Sequence, residues 1–312
     1  MRKHWTWFVL VFAVLGIMAV LVMNGCGIGE EVEDDTGEEA TPDEGEQEDG
    51  AEDRDETIHF GVTNWTSTIP PTYIAKEILE GMGYTVELQE ADAGAVYTGL
   101  SRGDLDVFMD AWLPDMHEDY MEQYEDTIES ASVSYPDGEL GWVVPDYVEG
   151  IASVEDLQGQ EDQFDNRIYG IEEGAGMTET SREMIEEYDL DLEYVASSEA
   201  GMLSEVQRHV PSEDPILFLG WRPHPMFVDY DLNVLEDEQG YFETSEVHVV
   251  VNRELAENAP EAYEFFSNWS IDVEEVEQMI AEIEDGGDEE ELAREWVEEH
   301  QDEVNEMIEN AG

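Results

Sequence analysis

From Thr57 onward the chain alternates short apolar runs with amphipathic stretches, and few folds satisfy that alternation. Apolar runs bounded by turn residues read as buried strands, and apolar positions at three- and four-residue spacing read as helices. Strands alternating with helices predict an α/β fold. The pattern places strands at 58–62, 85–88, 106–109 and 141–144, with helices at 70–82, 93–102 and 115–124 between them. A second block holds a short helix at 154–157, strands at 167–171, 193–195 and 215–219, and helices at 178–188 and 200–209. A last strand at 247–251 can return the chain to the first block. The remainder reads as helices at 260–269, 272–283 and 289–308, with Asp272 and Glu275 placed as a capping box. The expectation is two βα lobes: 57–144 completed by 247–312, and 145–246 between them. No repeat of 20–50 residues is visible, which excludes solenoids and propellers.

The first 56 residues stand outside that pattern. Arg2, Lys3 and His4 precede an almost wholly apolar run from Trp5 to Met23, which ends in Asn24-Gly25-Cys26. A positive head, an apolar core and a small-residue end are the marks of a secretory signal. Cys26, the chain's one cysteine, sits directly after it and resembles the lipidated first residue of a mature bacterial lipoprotein. An uncleaved anchor helix is the alternative, since about 20 apolar residues span a bilayer. Either places the rest of the chain outside the cytoplasm. Residues 27–56 carry 16 acidic residues and one Arg54 without any apolar period, and read as a solvated tether.

Charge narrows the partners. The 312 residues include 82 Asp and Glu against 11 Lys and Arg, a formal net of −71. Nucleic-acid binding needs basic patches, and they are missing. A hydrophobic content of 41% is nonetheless too high for a disordered acidic polymer, and the length suits a substantial core. A single cysteine can form neither an internal disulfide nor a multi-cysteine zinc site. Residues 57–312 alone hold 66 acidic and 8 basic residues, a net of −58. Such self-repulsion is tolerable where salt screens it, so a halophilic source is expected.

Familiar catalytic signatures are missing, and carboxylate pairs are too common here to carry information. The tryptophans are more informative. Trp65, Trp112 and Trp221 each close an apolar strand, and ligands of open α/β sheets bind beyond the strands' carboxyl ends. Three indoles there would face one cleft, and an indole face attracts a desolvated quaternary ammonium by about 0.5–2 kcal/mol. The competing reading is ordinary core packing, which is the better account of Trp142, Trp269 and Trp296. Two further features suit a carboxylate. Gly174-Ala175-Gly176-Met177-Thr178 joins a strand to a helix, where free backbone N–H groups can hold an anion, unless the glycines serve only the turn. His117, five residues beyond Trp112, could donate to the same carboxylate, or simply face solvent.

Trp112-Leu113-Pro114-Asp115-Met116-His117 and Gly220-Trp221-Arg222-Pro223-His224-Pro225-Met226-Phe227 resemble signature segments of the glycine betaine-binding proteins of ABC importers. The resemblance runs through essentially all of 57–312. It implies a two-lobed periplasmic-binding-protein fold of the type II kind, closing on a ligand in the interlobe cleft. It implies a prism of Trp65, Trp112 and Trp221 around a trimethylammonium group, with the carboxylate on His117 and on the backbone N–H groups of Gly176 and Met177. Pro225, where relatives with this segment commonly carry an aromatic residue, and Met177, where they commonly carry isoleucine, are departures. The expected protein is therefore a monomeric, lipid-anchored receptor without cofactor or metal. It would capture glycine betaine or a related zwitterion and pass it to a permease driven by a separate ATPase. A choline or carnitine receptor is the nearest rival, and an extracellular hydrolase or lyase of quaternary amines a more distant one.

Overall fold

The computed structural model describes residues 56–309 apart from 115 and 243; the signal, Cys26 and the tether lie outside the described residues. The first strand, β1 (Thr57–Val62), carries apolar side chains to the interior at Ile58, Phe60 and Val62. Helix α1 (Ile69–Gly81) follows, with Pro70 in its first turn, where a missing N–H costs nothing. Strand β2 (Thr85–Glu90) and helix α2 (Ala93–Arg102) come next. The Asp92 side chain caps α2 by accepting from Ala95 N at 2.9 Å, and Gly103, at φ +73°, ends it in the left-handed region that favours glycine. β3 (Val107–Leu113), α3 (Glu118–Gln123) and an 18-residue strand, β4 (Ile128–Pro145), complete the first block.

The second block runs β5 (Arg167–Gly170), α4 (Gly176–Glu187), β6 (Glu193–Ala196), α5 (Glu199–His209), β7 (Phe218–Arg222), α6 (Met226–Asp229) and β8 (Leu232–Val234). Then β9 (Ser245–Asn252) leads into α7 (Leu255–Asn258), α8 (Pro260–Asn268), α9 (Val273–Glu284), α10 (Glu289–Glu299) and α11 (Gln301–Glu309). The sheet order is β2-β1-β3-β9-β4-β7-β5-β6, with β8 beside β4. β1 is parallel to β2 and β3, and β5 is parallel to β6 and β7; β9 is antiparallel to both its neighbours. β4 belongs to both halves of this sheet. Its Gly138 pairs with Ser245 of β9, and the next residue, Glu139, pairs with Arg222 of β7. The C-terminal helices return to the first half, where Lys76 of α1 reaches Glu290 of α10 at 3.1 Å. Trp269 donates to Ser134 Oγ of β4 at 2.8 Å. Trp142 and Trp269 are fully buried, as core packing requires. Among the described residues no helix is long and apolar enough to cross a membrane.

Three expectations need correction, the first being the strand expected over 141–144, which is only the end of β4. The helix expected over 289–308 is two helices, because His300 leaves helical geometry at φ −109°, ψ 33°. Its ring stacks on Trp296 at 4.4 Å and reaches Glu275 at 2.9 Å. The capping box also fails in its second half. Asp272 caps α9 by accepting from Glu274 N, but the Glu275 carboxylate is taken by Trp296 Nε1 at 3.0 Å and by His300.

Candidate functional site

The carboxyl ends of β1, β3 and β7 converge on a small, mostly apolar cavity. Trp65, Trp112, Trp221, His117, Gly176 and Met177 all line it, so the structure brings together every site residue expected from the sequence within the described region. Ser67, Met116, Leu140, Ile171 and Ala175 complete the wall; Pro225 is not part of it and instead opens α6. The three indoles are each no more than 6% exposed. Trp65 stacks on the His117 ring at 5.8 Å and 9°, and Trp221 meets the His224 ring edge-on at 5.2 Å and 87°. Gly138 lies against the Trp112 ring, where a Cβ would fall 2.5 Å from a ring carbon.

His117 offers one polar group to this apolar space. Its Nδ1 accepts the Trp112 backbone N–H at 3.0 Å, which places the ring proton on Nε2. Nε2 is buried and has no partner among the described residues. Burial lowers the His117 pKa to about 3, so the ring is a neutral donor at any physiological pH. Across the cavity α4 starts at Gly176, and the first N–H groups of a helix have no intrahelical acceptor. Those of Gly176 and Met177 therefore form, with His117, a set of donors suited to an anion. Gly176 is also where the two sides touch: a Cβ there would lie 2.2 Å from the Met116 carbonyl oxygen.

Carboxylates that no sequence argument singled out organise the surroundings. Asp110 is fully buried and accepts from Ser67 Oγ (2.8 Å), Thr68 Oγ1 (2.7 Å) and Trp112 Nε1 (3.0 Å). Burial pushes its pKa up to about 6 despite those three donors. Glu172 accepts from Trp65 Nε1 at 2.9 Å, and burial raises its pKa as well. Glu199 bridges His224 Nε2 at 3.1 Å and the Thr66 backbone N–H at 3.1 Å. Together with the bond from Tyr120 Oη to Gly174 O (3.0 Å), these contacts tie the 57–124 segment to the 172–224 segment across the cavity. Ser67, the one hydroxyl side chain in the wall, donates to Asp110.

An apolar cavity lined by three indoles and by a neutral N–H donor fits a cation joined to an anion. Residues 56–299, well over half of the chain, match the family described as the substrate binding domain of the ABC-type glycine betaine transport system. The chain belongs to that family. A stretch of 147 residues is 33% identical to the glycine betaine/carnitine transport binding protein GbuC of Listeria monocytogenes, covering 46% of this chain and 49% of that protein. The chain thus spans about half the length of that curated relative. Lactococcal OpuAC, solved closed with glycine betaine, superposes with a TM-score of 0.77 at 27% identity, over 81% of this chain and 100% of that one. An ABC-transporter choline binding protein solved with choline also gives a TM-score of 0.77, at 28% identity, over 81% of this chain and 91% of that one. The fold is the two-lobed periplasmic-binding-protein fold of these structures.

Proposed function

We propose that this chain is the receptor of an ABC importer and captures glycine betaine, or a close quaternary-ammonium zwitterion, between its lobes. The observation that carries the reading is the joint placement of Trp65, Trp112 and Trp221 with the unpartnered Nε2–H of His117. The trimethylammonium group lies among the indoles, which satisfy a cation unable to donate hydrogen bonds. The carboxylate accepts from His117 and from the N–H groups of Gly176 and Met177. The lobe division follows the pairing of β4, which runs with β9 as far as Gly138 and with β7 from Glu139, so the first lobe is 57–138 with 245–309 and the second 139–244. Closure joins Trp65, Trp112 and His117 of one lobe to Trp221, Gly176 and Met177 of the other. The loaded monomer docks on a membrane permease, whose ATPase subunit drives release inward. The ligand leaves chemically unchanged.

Calorimetry with glycine betaine, proline betaine, choline and carnitine in high salt tests this. Glycine betaine should bind, and His117→Ala should weaken it. Choline has no carboxylate, so tighter choline binding that ignores His117→Ala would replace this reading with a choline receptor.

Acylated Cys26 holds the receptor at the outer face of the membrane through its acidic tether. Cys26→Ala should release the protein or leave an unprocessed precursor, and membrane retention with normal processing would refute acylation. The net of −58 on 57–312 points to a saline medium. The Debye length falls from about 10 Å at 0.1 M salt to about 3 Å at 1 M. The melting temperature should therefore rise markedly over that range, and a flat profile would exclude a halophilic origin.

A further inference from the structure

We propose that Asp110 and Glu172 tune the Trp112 and Trp65 indoles toward a cation, so that charge, and not shape alone, decides what the cavity admits. The inference rests on the reading of the cavity as a quaternary-ammonium site. Both indoles donate Nε1–H to a carboxylate oxygen, Trp112 to Asp110 at 3.0 Å and Trp65 to Glu172 at 2.9 Å. An anion accepting an indole N–H pushes electron density into the ring, and it is the ring's negative face that attracts a cation. The carboxylates also act through space, where a poorly hydrated surrounding screens them little.

Their other contacts sharpen the point. Asp110 is satisfied by two hydroxyls and an indole, and among the described salt bridges neither Asp110 nor Glu172 has a basic partner. A buried carboxylate without a counter-cation is costly to keep. A ligand cation between the indoles is the missing partner for Asp110 and, to a lesser degree, for the half-buried Glu172. Among the described residues Trp221 has no such acceptor in direct contact: its neighbour is His224, which is itself bound to Glu199. The tuning is therefore confined to the two indoles of the first lobe. Glu172 adds a coupling between the lobes, because its bond to Trp65 crosses the cleft.

A neutral isostere separates tuning from mere support of the rings. In 3,3-dimethylbutyrate a carbon replaces the quaternary nitrogen of glycine betaine, and the carboxylate stays. Calorimetry on the full chain, with Asp110→Asn and Glu172→Gln, measures both ligands in the same high-salt buffer. Where isostere binding is weak, it is read by competition with glycine betaine. Each variant should lose glycine betaine affinity by about tenfold or more, while isostere affinity moves by no more than about threefold. The preference for the cation thereby collapses. Equal losses for both ligands would reduce the carboxylates to supports for ring orientation, and unchanged affinity for both would remove them from recognition altogether. Either result overturns the proposal. Glu172 lies on a half-buried loop and carries the test alone if Asp110→Asn does not fold. Wild-type binding is measured first. Failure to bind any quaternary amine overturns the reading of the cavity itself, and a choline binder is tested with choline against 3,3-dimethylbutan-1-ol.

Discussion

Alanine at position 176 should abolish high-affinity capture while leaving the fold intact. The Cβ would sit 2.2 Å from the Met116 carbonyl oxygen and 2.7 Å from both the Met116 carbonyl carbon and Cα. All three are backbone atoms, so no flexible side-chain end can move aside. Gly176 has an ordinary negative φ at the start of α4, where alanine is a better helix former than glycine. The clash is therefore confined to the contact between lobes. Overpacking a tight contact costs about 1–3 kcal/mol, and the upper end corresponds to roughly a hundredfold in affinity. Calorimetry should show that loss, with the ligand-free melting temperature unchanged or slightly raised. Near-native affinity would mean that the lobes bind ligand without approaching this closely.

The second large effect is on the indoles. Trp65→Ala, Trp112→Ala and Trp221→Ala should each weaken glycine betaine binding by about tenfold or more, since each desolvated ring contributes roughly 0.5–2 kcal/mol and truncation admits water. Phe or Tyr at the same positions keeps a ring face and should recover part of the loss. Trp269→Ala is the control. Trp269 packs edge-on against Phe265 at 5.8 Å and donates to Ser134, and none of the three lines the cavity. Its removal should cost about 3–5 kcal/mol of stability and leave the affinity of the folded fraction nearly unchanged. Loss of binding in folded Trp269→Ala, with normal binding in Trp112→Ala and Trp221→Ala, would refute the cage.

The indoles were legible because an aromatic residue at the end of an apolar strand has few places to go. His117 and the Gly174–Met177 turn could be read the same way, from their offset to a strand end. Asp110, Glu172 and Glu199 could not. With 82 carboxylates in the chain, a buried one carries no local mark, and only the packing around Ser67, Trp65 and Thr66 distinguishes these three. The first half of β4 was equally hidden. Its register slips at Ser130/Ser132, Val133/Tyr135 and Tyr135/Gly138, and each bulge breaks the period of two on which strand reading depends. The expected strand at 141–144 was therefore only the tail of an 18-residue one. The break at His300 left no glycine or proline to announce it; the ring's contacts with Trp296 and Glu275 make it.

The position of β9 bears on how the protein can be made. It is the last of the described strands, yet it lies between β3 and β4, pairing Val107 with Val251 and Ile128 with Asn252. Those partners are more than 120 positions apart, and contacts of such high order slow folding because a long loop must close before they contribute. A chain emerging N-terminus first presents the β3 edge, with Val107 and Phe108, long before its partner exists. An unpaired apolar edge invites pairing with other chains until it is covered. The nascent chain thus stays open, and in need of protection, until residue 252 is available. The last-made strand is therefore the one that joins the two halves of the sheet, and the order of synthesis leaves that seam to be closed last.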